Sequence, residues 1–238
     1  MFEVKAYGDR GLRIQFGETI SEATNTTIRS FSHLLEKEAI PGVIEWIPTY
    51  VDISILYDPY LITYKQLKEK IYHLKDDMEG LHLPPRQIFH IPVYYGGEAG
   101  PDLEHVAAYN GLTPEEVIEI HTNRDYLIYM IGFTPGFPYL GGMSEKIATP
   151  RLKNPRSKTP AGSVGIAGVQ TGIYSMETPG GWQIIGRTPV KLYDIQRKPP
   201  VLLQSGHSIR FEQVTKEEYK QIEKDIKNGR YQLKVREE

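Results

Sequence analysis

Cysteine is absent from the 238 residues of the chain. This absence excludes disulfide bonds, cysteine nucleophiles, cysteine-bound zinc and iron–sulfur clusters. No apolar run approaches the roughly 18 residues that a membrane-spanning helix needs, and the N-terminal MFEVKAYGDRGLRIQF carries charges throughout, unlike a signal peptide. The formal net charge of -2 favours neither nucleic acid nor an anionic membrane. We therefore expect a cytoplasmic protein without nucleic-acid or membrane partners.

Several catalytic motifs are missing as well. The sequence has no G-x-x-x-x-G-K-[ST] loop for nucleotide phosphates and no G-x-G-x-x-G that opens a helix. A G-x-S-x-G nucleophile turn is also absent, since Ser163 directly follows Gly162. The seven histidines show neither H-x-x-x-H nor H-E-x-x-H spacing, which argues against a zinc site. We expect no metal and no cofactor on this chain, and any ATP chemistry on another.

The first 96 residues predict a small α+β domain. Alternating apolar residues predict strands at 2–8, 12–17, 43–50, 51–58 and 87–96. Apolar residues spaced by three and four predict one helix after Ser21 and a second helix around 67–74. After the first strand the order is βαββαβ, which is the order of a ferredoxin-like plait.

The remainder, residues 97–238, has a different composition. The glycine pair Gly96-Gly97 marks the boundary. Residues 113–116, TPEE, predict a helix start with a capping box and a proline at the first helical position. Eleven of the 22 glycines lie between Gly132 and Gly186, where they separate short apolar runs. That pattern is typical of a β-barrel or sandwich, so we predict two domains, 1–96 and 97–238.

Residues 132–142, GFTPGFPYLGG, place two phenylalanines and a tyrosine in a stretch too rich in glycine and proline for a helix. Aromatic side chains usually lie where they bury area, so this loop either packs on the core or forms the wall of a binding groove. We interpret it as one wall of a pocket that another subunit completes. On this interpretation, replacing Phe137 with alanine weakens the complex more than it lowers the melting temperature.

Charged residues follow the aromatic loop. Residues 146–158, KIATPRLKNPRSK, carry five cations and no acid. They form either a solvated loop or, because arginine beside glycine-rich backbone suits carboxylates and phosphates, part of an anion site. Trp182 and Arg187 have odd spacing, which in an extended strand places one in the core and the other toward a groove. The position of His121 at a helix C-terminus is explained by the helix dipole alone, or by a role in the site.

GFTPGFPYLGG, followed by PRLKNPRSKTPAGSVGIAGVQTGIYSMETPGGWQIIGRTP, resembles the signature of the allophanate hydrolase subunit 1 family. GDRGLRIQFG, IPTYVDISILYDP and IPVYYGGEAGPDLEHVAAYNGLTPEEVIEIH extend the resemblance to nearly the whole chain. That family includes the KipI sensor-kinase inhibitors and PxpB, one of the subunits of bacterial 5-oxoprolinase. The resemblance implies an N-terminal α+β domain followed by a cyclophilin-like β-barrel.

The resemblance also implies a function. It indicates a non-ATP-binding subunit, inactive alone, of a complex with PxpA and PxpC that opens 5-oxo-L-proline to L-glutamate with hydrolysis of ATP. The alternative is a KipI-type inhibitor of a sporulation histidine kinase. A role in allophanate or urea metabolism ranks lower, as does prolyl isomerase activity. The predicted groove for substrate or partner comprises Phe133, Pro135, Phe137, Tyr139, Arg151, Gly162, Ser163, Gln170, Trp182, Arg187 and His121.

Overall fold

A computed structural model describes residues 2–78, 81 and 83–237 of the chain. Its contacts divide the chain into two compact units, Met1–Pro85 and Arg86–Glu238. The sequence places the boundary about ten residues later, after residue 96. The difference concerns one strand, residues 87–95, which pairs with strands of the second unit.

The first unit is a four-stranded antiparallel sheet with two helices. Its elements are β1 (Glu3–Ala6), β2 (Gly11–Gln15), α1 (Glu22–Glu38), β3 (Val43–Pro48), β4 (Asp52–Tyr57) and α2 (Tyr64–Asp76). The strand order is β1-β2-β4-β3. Alternate residues of the strands, such as Leu12 and Ile14, are buried together with Phe31 of α1 and Ile71 of α2. Both helices therefore cover the same face of the sheet.

Local signals explain where these helices begin. The Ser21 side chain accepts a hydrogen bond from the backbone N–H of Thr24 and so satisfies an otherwise free donor at the start of α1. Thr63 and Gln66 form a reciprocal capping box at the start of α2. Both starts agree with the periodicity of the apolar residues that follow them.

The ferredoxin-like plait predicted for residues 1–96 needs a correction at its last strand. In that fold the closing strand would lie beside β2, but β1 occupies this edge position and pairs antiparallel with β2. Residues 87–95 instead form a central strand of the second unit. Local alternation predicts that these residues form a strand, and it carries no information on which strand becomes the neighbour.

The second unit is built mainly of strands. Its elements are β5 (Gln87–Tyr95), α3 (Leu103–Asn110), α4 (Pro114–Thr122), β6 (Asp125–Ile131), β7 (Pro138–Gly141), β8 (Arg156–Thr159), β9 (Ser163–Ala167), β10 (Gln170–Ile173), β11 (Thr178–Gly180), β12 (Gln183–Arg187), β13 (Ser208–Gln213), α5 (Lys216–Lys227) and β14 (Val235–Glu237). The main sheet runs β10-β9-β12-β5-β13-β6-β7, and β14 pairs with β5. The end strands β7 and β10 lie against each other, so the sheet forms a nearly closed barrel.

Helices cover part of this barrel. The capping box predicted at Thr113 and Glu116 is present, with Pro114 at the first turn of α4. Apolar residues of α3 and α4 share one core with strands of the barrel, including Val106, Val117 and Ile128. Within the residues that the structure describes, no helix has the length and apolar character to cross a membrane.

Candidate functional site

The aromatic loop is a tight turn between β6 and β7. The backbone N–H of Gly132 donates to the carbonyl of Phe137 over 3.1 Å, and that of Phe137 donates to Thr134 over 3.1 Å. Phe133 has a φ of 62°, in the left-handed region that bulky residues rarely adopt. Backbone held in such a conformation is enriched at functional sites. Phe133, the residue with this strained backbone, is also exposed to solvent over 68% of its surface.

Phe137 lies at the centre of a cluster of rings. Its ring centroid is 5.7 Å from those of Phe133, Tyr174 and Trp182 and 5.3 Å from that of Tyr139. All four contacts are edge-to-face, the favoured geometry for aromatic pairs. Phe137 is only 3% exposed. Phe137 is therefore packed among the other rings of the cluster, and Phe133 is the accessible ring of the loop.

The ring cluster borders an open cavity of about 360 Å³. Its lining consists of Phe133, Phe137, Tyr139, Arg151, Pro155, Tyr174, Pro179, Gly180, Gly181 and Trp182. We call it the aromatic cavity. A Cβ at Gly180 would overlap the phenol oxygen of Tyr174, so glycine is required there for the ring to reach its place. Burial raises the pKa of Tyr174, against the lowering effects of the Trp182 backbone and of nearby arginine charges, so the phenol is neutral at physiological pH.

Arg151 is the cation of the aromatic cavity. Its guanidinium lies 5.9 Å from the centre of the Trp182 ring, a cation–π distance. Both neighbours of Arg151 are fixed, because the Pro150 carbonyl accepts from Gln183 Nε2 over 2.8 Å and the Leu152 N–H donates to Gly181 over 2.7 Å. Among the described residues, the Arg151 side chain has no ion-pair or hydrogen-bond partner. Its charge is available for a ligand.

Two other cations of the same loop, Arg156 and Lys158, have side-chain partners. Arg156 forms a bidentate pair with Asp102 at 2.6 and 2.8 Å, and donates to the Trp182 carbonyl over 3.2 Å. Asp102 also accepts from the Ile184 N–H, so this pair connects α3, β8 and β12. Lys158 lies 3.4 Å from Glu177. Of the five cations of this loop, Arg151 is the one that lines the aromatic cavity, so the anion site predicted for the loop is assigned to Arg151.

Arg187 lies in a different place from Arg151. With Gly162, Tyr219 and Glu223 it lines a second cavity of about 460 Å³. Its Nε donates to the Ala161 carbonyl over 3.0 Å. Trp182 and Arg187 thus line separate cavities, and a bulge between Ile184 and Gly186 shifts the register of β12 between them. The structure does not bring Arg187 to the aromatic rings.

His121 belongs to the core of the second unit. It is fully buried, and the Tyr95 hydroxyl lies 2.8 Å from its Nδ1 and the Thr171 hydroxyl 2.8 Å from its Nε2. Since Thr171 donates to the Gly165 carbonyl, Nε2 carries the proton and Nδ1 accepts from Tyr95. Burial lowers the pKa of His121 to about 3, so the ring is neutral. This network links α4 to the barrel interior and places His121 away from both cavities.

Three further residues of the predicted groove line neither cavity. Ser163 is buried in β9, Gln170 is partly buried at the start of β10, and Pro135 is exposed in the aromatic loop. Across residues 2–78, 81 and 83–237, no cluster of three or more His, Asp or Glu side chains is arranged to hold a metal ion.

Sequence reasoning misses part of the aromatic cavity. The predicted groove does not include Tyr174, although this ring both packs in the cluster and lines the cavity. Gly180 and Gly181, directly before Trp182, are the available signal that backbone and ring come close together. The pairing of Asp102 with Arg156 has no local signal, since 54 residues separate the two.

Comparisons with known proteins find matches that cover most of the chain. Residues 2–203 match the family described as carboxyltransferase domain, subdomain C and D. The chain is 45% identical over 233 residues to the 5-oxoprolinase B subunit of Bacillus subtilis (strain 168), covering 92% of this chain and 95% of that protein. It is also 45% identical over 173 residues to the 5-oxoprolinase B subunit of Escherichia coli O157:H7, covering 72% and 78% of the two chains.

A solved structure shows the same fold within a longer chain. The crystal structure of TTHA0988 superposes with a TM-score of 0.77 at 36% identity and covers 87% of this chain. The match spans only 40% of the TTHA0988 chain, so the longer protein contains further sequence beside this fold.

Proposed function

This chain belongs to the family of the carboxyltransferase domain, subdomain C and D, and we propose that it serves as the PxpB component of a 5-oxoprolinase. In this role it takes part in the opening of 5-oxo-L-proline to L-glutamate, the hydrolysis of a cyclic amide that the complex drives with ATP. The observation that carries the proposal is the 45% identity with the B. subtilis 5-oxoprolinase protein across 95% of that protein.

The geometry of the second unit supports such a role. The aromatic cavity combines apolar walls with the Arg151 guanidinium, which has no partner in the described part of the chain, and this combination suits a small ligand that carries a carboxylate. Phe133 stands exposed at its rim in a strained conformation. An exposed ring beside a cavity is a candidate contact for a partner protein, because aromatic residues are enriched at the centres of interfaces.

The partners in this proposal are PxpA and PxpC. The extra length of the TTHA0988 chain supports a fold that works joined to further domains. Each component of the complex supplies part of the chemistry: this chain binds and orients, and the nucleotide is bound elsewhere in the complex.

Reconstitution tests the proposal. The purified chain is mixed with PxpA, PxpC, 5-oxo-L-proline and ATP, and the formation of glutamate and ADP is measured. We expect glutamate to form only when all three proteins are present. A rate that is unchanged when this chain is omitted would overturn the proposal.

A further inference from the structure

The aromatic cavity contains one cation without a partner among the described residues, and it is the only cation in the lining of that cavity. We propose that the cavity binds 5-oxo-L-proline itself, with the substrate carboxylate on the Arg151 guanidinium and the lactam ring among the aromatic side chains. The choice of ligand rests on the proposed function; the existence of the site rests on the cavity.

Arg151 is suited to a carboxylate for two reasons. A guanidinium presents planar, paired donors that match both oxygens of a carboxylate, and it is weakly hydrated compared with an ammonium group. Its backbone is also held in place, since the residues on either side are hydrogen-bonded to Gln183 and Gly181, and its charge lies over the Trp182 ring. With the backbone fixed, only the side-chain torsions of Arg151 remain to be ordered when the ligand arrives.

The walls match a compact ring. Phe137, Tyr174 and Trp182 fix one another by edge-to-face contacts, so the apolar surface is formed before the ligand binds. Gly180 and Gly181 lack side chains and leave the space open. At about 360 Å³ the cavity lies near the lower end of the roughly 300–1,000 Å³ range of small-molecule sites. This size favours a small cyclic acid over a nucleotide.

The same loop shows why Arg151, and not another cation, is assigned this role. Arg156 is engaged by Asp102, and Lys158 lies beside Glu177. Lys146 and Lys153 do not line the cavity. Arg187 lines the second cavity. Arg151 is therefore the cation of this group that can meet a carboxylate against the aromatic rings.

The chain contains two tryptophans, which makes the test direct. Trp46 lies in β3 of the first unit, so a Trp46→Phe protein reports on Trp182 alone. Titration of the full chain with 5-oxo-L-proline should give a saturable change in Trp182 fluorescence. 2-Pyrrolidinone, the same ring without the carboxylate, should bind at least about tenfold more weakly, as expected for loss of one charged hydrogen-bonded contact.

Variants identify the cation. In the same background Arg151→Met should raise the Kd for 5-oxo-L-proline by about tenfold or more, and Arg151→Lys should raise it less, because the charge remains and the planar fork is lost. Lys153→Met, which removes a neighbouring charge outside the cavity, should leave the Kd unchanged. The absence of a saturable change, or equal Kd values for Arg151→Met and its parent, overturns the assignment.

The reconstituted reaction separates this inference from the proposed function. If glutamate formation requires the chain but Arg151→Met leaves both Kd and KM unaltered, the role in the complex stands and the cavity assignment fails. If the chain binds 5-oxo-L-proline through Arg151 but is dispensable for glutamate formation, the site stands and the role in the complex fails.

Discussion

The two phenylalanines of the aromatic loop should respond in opposite ways to truncation. Phe137 is 3% exposed and contacts four other rings, whereas Phe133 is 68% exposed and contacts one. Phe137→Ala should therefore lower the stability of the second unit. Phe133→Ala should leave stability nearly unchanged and lower the activity of the complex.

The size of the first effect follows from burial. Truncating a buried phenylalanine to alanine removes the transfer free energy of the ring and leaves a cavity, which together cost about 3–5 kcal/mol. For a unit of this size, each kcal/mol lowers the melting temperature by about 2–4 °C, so Phe137→Ala should melt roughly 10 °C lower. An exposed substitution such as Phe133→Ala changes stability by no more than about 0.5 kcal/mol.

The effect on the activity of the complex is expected at Phe133 instead. Phe133 lines the rim of the aromatic cavity, and loss of an exposed aromatic anchor commonly costs an interface or site more than about 1.4 kcal/mol, a factor of ten. We expect Phe133→Ala to lower glutamate formation by the reconstituted complex about tenfold. Melting of each variant, followed by circular dichroism, gives the stability, and the coupled assay gives the rate.

Either of two results would refute this reasoning. If Phe137→Ala melts within about 2 °C of the parent, the ring is not the centre of a packed cluster. If Phe133→Ala melts far below the parent, or retains full activity in the complex, the exposed ring is not a contact for ligand or partner. Tyr139, which is partly buried in the same cluster, serves as an intermediate case for comparison.

Three further perturbations test other parts of the second unit. Burial lowers the pKa of His121 to about 3 from its ordinary value of 6.5, so the stability that the neutral ring contributes is complete above about pH 6.5 and is lost as the pH falls toward 3, at about 1.4 kcal/mol per pH unit. The urea midpoint should therefore fall less between pH 7 and 5 for His121→Gln than for the parent. Equal falls of the two midpoints would contradict this. Arg156→Ala leaves the buried carboxylate of Asp102 without its bidentate partner and should cost about 2 kcal/mol in urea unfolding, whereas an unchanged midpoint would show that the pair is energetically neutral. Gly180→Ala should lower the melting temperature because its Cβ would overlap the buried phenol oxygen of Tyr174. Gly181→Ala should melt as the parent does, because its Cβ would meet only ordinary van der Waals contacts. Equal melting temperatures for the two variants would refute the clash at Gly180.

Local signals in the sequence are sufficient to predict most elements of the fold. The capping residues Ser21, Thr63, Thr113 and Thr215 all accept backbone hydrogen bonds at helix starts. Capping depends on residues within one turn of the helix, so a short window of sequence contains the whole cause. The same holds for the buried strand β6, whose continuous apolar run predicts burial on both faces.

Local sequence signals do not predict which strands, distant in the sequence, pair with each other. The strand β5 has the length and alternation of a plait strand, yet it pairs parallel with β13, more than a hundred residues later in the chain. The strands that pair with β5 are determined by the apolar surface that the whole barrel buries. Residues from different strands contribute to that core, among them Val93, Ile166 and Phe211. A strand pattern alone is compatible with either unit.

The same limit decides which ring of the aromatic loop is buried. Nothing within GFTPGFPYLGG distinguishes Phe133 from Phe137 as the inward residue. The distinction comes from Gly172 in β10, where a Cβ would lie 3.3 Å from the Phe137 ring and 3.1 Å from that of Trp182, so the missing side chain provides the space that both rings occupy. Once Phe137 fills that space, the short turn and the left-handed backbone at Phe133 direct the other ring outward. The exposure of Phe133 is thus a consequence of how Phe137 packs against Gly172, which is distant in the sequence. For this reason the local sequence predicts an aromatic wall but does not identify the ring that a ligand or partner meets.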